Sequence, residues 1–300
     1  MMQPTLHSTP RPRDVLREQL RVTGSALRLP FLVPAVLLVL AALLVAGLTD
    51  ARSPADFHPE SQMLPGMLGL VLPIAVWRGE RHFGAGFLWT LPVDRRRHAL
   101  AKVFAGWAWL ISLVAIFVLW LLAYTLVTGG KVQPVEALWI LPPRPFPAHG
   151  LVDPATLRTV HWTPEPLFWL VPFTAATGTY LLASAAVLGL RHPLWWIVGI
   201  GIAIVALDGV GALAHAPWLR MAPGRVLEPL FYGPYGFDAL LTARIQSIRT
   251  EATLATGESV VVWRTMPDLR LWVVATLLWT GGGLAALWAA ASRHGERRPA

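Results

Sequence analysis

A chain of 300 residues in which 14% are charged and 55% hydrophobic is not an ordinary soluble domain, where roughly a quarter of residues carry charge. The net charge of +8 sorts by segment instead of running along one face, which excludes a nucleic-acid footprint. The absence of Cys and Asn excludes disulfides, thiolate metal sites and N-glycosylation. An all-α integral membrane protein is therefore expected. Fifteen Trp suit it, because the indole ring is apolar while its N–H still finds a partner at the membrane–water interface.

Residues 1–28 begin Pro-rich and continue as RDVLREQLRVTGSALR over 13–28. Leu16, Leu20 and Leu27 follow a 3.6-residue stripe, while Arg13, Arg17 and Arg21 repeat every four residues on another face. Such a basic amphipathic helix either lies on an anionic membrane surface or is a solvated lead-in to the first span. The polar start is too long, and the apolar run behind it too long, for a secretory signal.

Six stretches read as spans: about 29–48, 63–77, 103–127, 167–190, 193–214 and 271–291. Some 20 apolar residues at ~1.5 Å each cross the ~30 Å hydrocarbon layer. The stretch 63–77 is the shortest and holds Pro65 and Pro73, which membrane helices tolerate. With the N-terminus in the cytoplasm, 15 of the 25 Lys and Arg fall in inside segments at net +10, and the outside loops net −1. That is the asymmetry of the positive-inside rule. The expected layout is a cytoplasmic segment 1–28, a six-span domain 29–291 and a cytoplasmic tail 292–300, in the plasma membrane with both termini inside.

The long outside loops differ in character. Residues 128–166 are Pro-rich and read as extended or turn-like backbone. Residues 215–268 hold the turn FYGPYGF, then an amphipathic helix with Phe237, Leu240, Leu241, Ile245 and Ile248 on one face. A strand-like run over 260–263 has no assigned place.

Between the second and third spans lie Arg78, Arg81, Arg95, Arg96, Arg97 and Lys102 against only Glu80 and Asp94. Position in the membrane accounts for the cations. It does not account for the apolar centre GAGFLWTLPV, which must be covered by lipid headgroups, by the protein itself or by a partner. A short helix with Phe87, Leu88 and Leu91 on one face would suit a groove in another protein. Pro92 would end it, and Asp94 is placed to cap the next helix.

The order Glu80, Gly84, Leu91-Pro92-Val93-Asp94-Arg95 and Leu100-Ala101-Lys102, directly after the second span, resembles the first cytoplasmic loop of six-span ABC-type exporter permeases. That class includes drug, polysaccharide and polypeptide exporters. The chain departs from the family pattern in having Asp94 where Ser is common and a single Glu80 where paired acids are frequent. The resemblance implies a cytoplasmic coupling helix, with Glu80, Gly84, Phe87, Leu91, Pro92, Asp94 and Arg95 at the contact with a separate cytosolic ABC ATPase. It also implies a second permease copy or paralogue, and ATP-Mg bound by the ATPase alone. The chain has no G-x-x-x-x-G-K-[ST] and only two lysines, Lys102 and Lys131, so it holds no P-loop of its own. Arg96, Arg97 and Lys102 read equally as phospholipid-facing cations.

Asp208 is the acid well inside a span, about 22 Å along its helix from Pro193. It is either an intramembrane functional carboxylate or a helix-end Asp reaching outer water. His58 with Glu60, and His149 with Asp153 and His161, lack the tight spacing of a metal site, and no metal or cofactor is assigned to the chain. Gly199, Gly201, Gly209, Gly211 and 281–283 read as close-packing positions within the bundle. Trp77, Trp169, Trp195, Trp196, Trp272 and Trp288 read as interface belts. Besides an exporter subunit, a membrane enzyme acting on lipid-linked substrate and a non-transporting scaffold or sensor that uses an ABC ATPase remain open.

Overall fold

The computed structural model describes residues 12–28, 54–77, 95–141, 152–190, 192–254 and 256–296, with single positions between 33 and 44. The expected first span and the loop over 78–94 lie outside the described residues. The chain is mostly helical, and three segments are long and apolar enough to cross a membrane: Arg96–Val127, Pro166–Gly189 and Leu269–Arg293. The helices are α1 (Pro12–Leu27), α2 (Leu64–Val76), α3 (Arg95–Val127), α4 (Val171–Gly189), α5 (Pro193–Leu213), α6 (Pro217–Tyr232), α7 (Phe237–Thr242), α8 (Ile245–Ile248) and α9 (Leu269–Glu296).

α4 is the hub. It buries Ala175, Ala176, Thr179, Tyr180, Ser184 and Leu188 among others, with α2, α3 and α9 packed around it. Lipid tails are as apolar as any Leu, so helices in a membrane associate through close backbone approach and hydrogen bonds. Both are present. A Cβ on Gly69 of α2 would collide with the Thr179 hydroxyl and the Ala176 carbonyl oxygen, and one on Gly283 of α9 would stand 2.9 Å from Leu181 Cβ. The buried Tyr180 hydroxyl donates to the Val103 carbonyl of α3 at 2.8 Å, and Trp107 Nε1 donates to Thr177 Oγ1 at 3.1 Å. Gly106 leaves the room that the tyrosine hydroxyl fills.

α3 runs for 33 residues, about 50 Å at ~1.5 Å per residue, well beyond a hydrocarbon layer of ~30 Å. It starts at Arg95, eight residues ahead of the expected span. The triple arginine is therefore the first turn of a helix.

The all-α expectation is corrected by a four-stranded sheet of β1 (Glu136–Ile140), β2 (Arg158–Trp162), β3 (Arg249–Thr253) and β4 (Ser259–Trp263), in the order β2-β1-β4-β3. β1–β2 and β3–β4 are antiparallel pairs, and β1 joins β4 in parallel at Ile140–Trp263. The unassigned run over 260–263 is thus β4, and both long loops share one sheet. Each five-residue pair alone is marginal; the bundle brings their ends together. A chain of tilted and edge-to-face ring contacts from Trp263 through Trp162 and Phe168 to Trp272, at 5.7, 6.3 and 6.1 Å between centroids, fastens the sheet to α9.

The amphipathic helix expected after residue 237 is two short helices. Ala243 and Arg244 adopt φ of 51° and 67°, the left-handed region that costs a non-glycine residue about 1 kcal/mol. The buried Asp238 carboxylate holds this bend, accepting from Thr242 Oγ1 at 2.7 Å and from the Ser247 N–H at 3.2 Å. α7 dips into the bundle, seating Leu240 on Gly178 and Leu241 on Gly66.

The glycine expectation divides. Gly283 packs as anticipated, whereas no described residue comes within 4 Å of a Cβ built on Gly199, Gly201, Gly209, Gly281 or Gly282. α5 leaves α4 through a short link and packs among the described residues against α6, with Gly199, Gly201 and Gly209 unpacked.

Candidate functional site

The described ends of α2, α3 and α9 that flank the basic loop form one built surface. α2 stops at Trp77, whose N–H donates to the Pro73 carbonyl at 3.0 Å. The Trp77 side chain is 1% exposed, which corrects its reading as an interface-belt residue; Trp272, at 4%, is core as well. Trp195 and Trp196 are exposed.

Lys102 is buried, with Nζ 4.9 Å from the centroid of the Trp77 ring, and the Arg96 guanidinium lies 3.4 Å over Trp288 of α9. Lys102 is therefore a core residue, and Arg96 is partly covered. Each rests on an aromatic face, an electrostatic attraction that strengthens as water is removed. Arg97 is exposed. Arg95 opens α3, while Glu80, Gly84, Phe87, Leu91, Pro92 and Asp94 lie outside the described residues.

α1 completes this end. Thr23 and Leu27 are buried, Trp109 Nε1 of α3 donates to the Leu20 carbonyl at 3.0 Å, and Gly24 leaves space for the Trp109 ring. Arg17 and Arg21 remain exposed. α1 is thus docked on α3 along its apolar stripe. α2 ends at the buried Trp77, and near its start α3 seats Arg96 on Trp288 and Lys102 on Trp77.

At the sheet end, His58 sits between two carboxylates. Its Nδ1 is 3.0 Å from Glu60 Oε1 and its Nε2 is 2.8 Å from Glu136 Oε1. Burial disfavours the imidazolium, but the hydrogen bonds and charges of Glu136 and Glu60 outweigh it and raise the His58 pKa to about 9. The sequence paired His58 with Glu60; Glu136 comes from β1, beyond any local spacing signal. The neighbouring backbone is fastened to the end of α3, with the Lys131 N–H donating to Asp56 Oδ1 at 2.7 Å and the Phe57 N–H to the Lys131 carbonyl at 3.0 Å. This is an ion-paired brace between segments.

Asp153 caps a 3-10 turn, its carboxylate accepting from the Ala155 N–H at 3.0 Å, and His161 is an exposed β2 residue. His149 and the side chain of Asp208 lie outside the described residues. Among the described residues no group of three His, Asp or Glu is arranged to hold a metal. No family model, curated protein or solved structure matches the chain.

Proposed function

We propose that the chain is the membrane subunit of an ATP-driven ABC exporter. Six spans place both termini in the cytoplasm, and the basic end of the bundle faces a separate cytosolic ATPase that binds ATP-Mg. Closure of the ATPase pushes on the coupling helix within 78–94, and the helices carry the push across the membrane as a change of access. The observation that carries this reading is the sequence motif from Glu80 to Lys102; Arg96 and Lys102, in its last part, rest on Trp288 and Trp77. A second copy or paralogue supplies the other half of the path. The exposed apolar face of α5, including Ile202 and Val205, supports a role in such contacts.

Affinity purification of the full chain from its own membranes tests the proposal. An ATPase with Walker and ABC signature motifs is expected to co-purify, with association and ATP turnover falling together in Glu80→Ala and Arg95→Glu. Unchanged association and turnover in both variants would sink it.

A further inference from the structure

At the sheet end, α6, the α7–α8 bend and the residues after β4 enclose a cleft of about 650 Å³ lined by Glu228, Tyr232, Arg244, Ser247, Arg264 and Thr265, among others. Beside it a shallow depression runs along α6 alone, sharing Glu228 and Tyr232 and adding Gly224, Leu227 and Phe231. The walls are fixed. The Arg264 N–H donates to the Ile248 carbonyl at 2.9 Å, and Ser247 Oγ donates to the Arg244 carbonyl at 3.1 Å. Phe231 stacks on Phe237 at 6.0 Å and Phe237 on Trp279 at 5.2 Å, both edge-to-face.

Two features of this cleft suit it to a ligand. Arg244 is held at φ 67°, and its buried Nε has no hydrogen-bond partner among the described residues. The Asp238 hydrogen bonds account for the bend, but a buried guanidinium N–H without a protein partner is a donor open to a ligand. Moreover, among the described residues no ion pair within 4.0 Å joins Glu228 to Arg244 or Arg264. Charges of both signs line one cleft without neutralising each other, which is complementary to a zwitterion. Outside the cleft α6 exposes Trp218, Met221, Val226 and Leu230, an apolar surface suited to the acyl–headgroup boundary.

We propose that the cleft binds an aminophospholipid. Arg244 and Arg264 take the phosphate, Glu228 takes the primary ammonium, and an acyl chain lies along Leu227 and Phe231. Guanidinium groups suit a phosphate's paired oxygens. A primary ammonium offers N–H donors to Glu228 that a choline headgroup lacks. The proposal is independent of the ATPase reading and requires only that this end of the bundle meets a membrane surface.

The full chain in nanodiscs of equal phosphatidylethanolamine and phosphatidylcholine, with matched acyl chains, is analysed by native mass spectrometry for retained lipid. Retention of phosphatidylethanolamine over phosphatidylcholine by about tenfold is expected. Arg264→Gln, at an exposed position, abolishes retention of both lipids; Glu228→Gln keeps the phosphate contact and removes the preference. Equal retention of the two lipids by the native chain, or a preference unchanged in both variants, overturns the assignment. In detergent, displacement of the lipid by water-soluble phosphoethanolamine at equal concentration, with affinity unchanged in Phe231→Gln, would show a site for the soluble head alone and overturn the lipid assignment.

Discussion

α4 and α5 are consecutive apolar helices of 19 and 21 residues, yet their surroundings differ sharply. α4 is largely buried, whereas α5 exposes Trp195, Val198, Ile200, Ile202, Val205 and Leu213. Apolarity does not separate them, because in a membrane both lipid and protein accept apolar side chains. Hydroxyl and small residues do. α4 carries Thr174, Thr177, Thr179 and Tyr180, groups that need partners away from water and find them in their own helix and on α3. α5 has glycines but no hydroxyl in its sequence, and Gly199, Gly201 and Gly209 meet no described neighbour. A small residue permits close approach only where a partner backbone is presented to it.

The sharpest way to break this comparison is a pair of overpacking variants. Gly69→Leu drives a side chain into the backbone of α4 and is expected to cost about 3 kcal/mol or more, or to prevent assembly. Gly201→Leu on α5 should remain within about 0.5 kcal/mol of the native chain. Thermal unfolding in detergent measures both, and equal losses would show that burial does not distinguish the two helices.

A somewhat smaller effect is expected from the His58 brace, outside both helices. Its pKa is about 9 folded against about 6.5 unfolded. The stabilisation is therefore complete below pH 6.5 and fades as pH rises through 9. Allowing for solvent screening at this partly exposed site, the loss across that window is roughly 1–2 kcal/mol. Unfolding curves from pH 6 to 10 should show it, and His58→Gln should flatten the dependence; an unaltered slope in that variant would assign the effect to other groups.

Removing the Tyr180 hydroxyl with Tyr180→Phe leaves the Val103 carbonyl without that donor and should cost about 1 kcal/mol. Trp195→Phe on α5 serves as the comparison, with little change expected. The smallest effect belongs to the basic end. Arg96→Gln removes the cation from the Trp288 face, a loss of about 0.5–1 kcal/mol, read as a modest drop in midpoint and a change in Trp fluorescence. A midpoint and spectrum identical to the native chain would show that the stacked pair contributes nothing in solution.

Helix positions were largely legible. The expected stretches 167–190, 193–214 and 271–291 coincide closely with helical segments, because a continuous apolar run is a local property. The fate of the lysine and the tryptophans was not. Lys102 and Trp77 are separated by 25 positions, and only the packing of α2 against α3 stacks one on the other. The same holds for Glu136 beside His58. The Ala243–Arg244 bend escaped periodicity, since the apolar stripe runs through it unchanged and the break depends on hydrogen bonds to the buried Asp238.

The amino-acid order by itself determined an apolar, Trp-rich, largely helical chain with its positive charge gathered in a few segments. These follow from transfer free energy and helix periodicity, both of which act residue by residue. Tertiary structure alone decided that α4 is the hub, that α5 stands apart, and that two loops meet in one sheet. It also decided that charges from distant segments line one cleft. Each of these depends on which backbones come within contact, and in an apolar solvent that choice rests on a few glycines, hydroxyls and ring faces whose partners lie far along the chain.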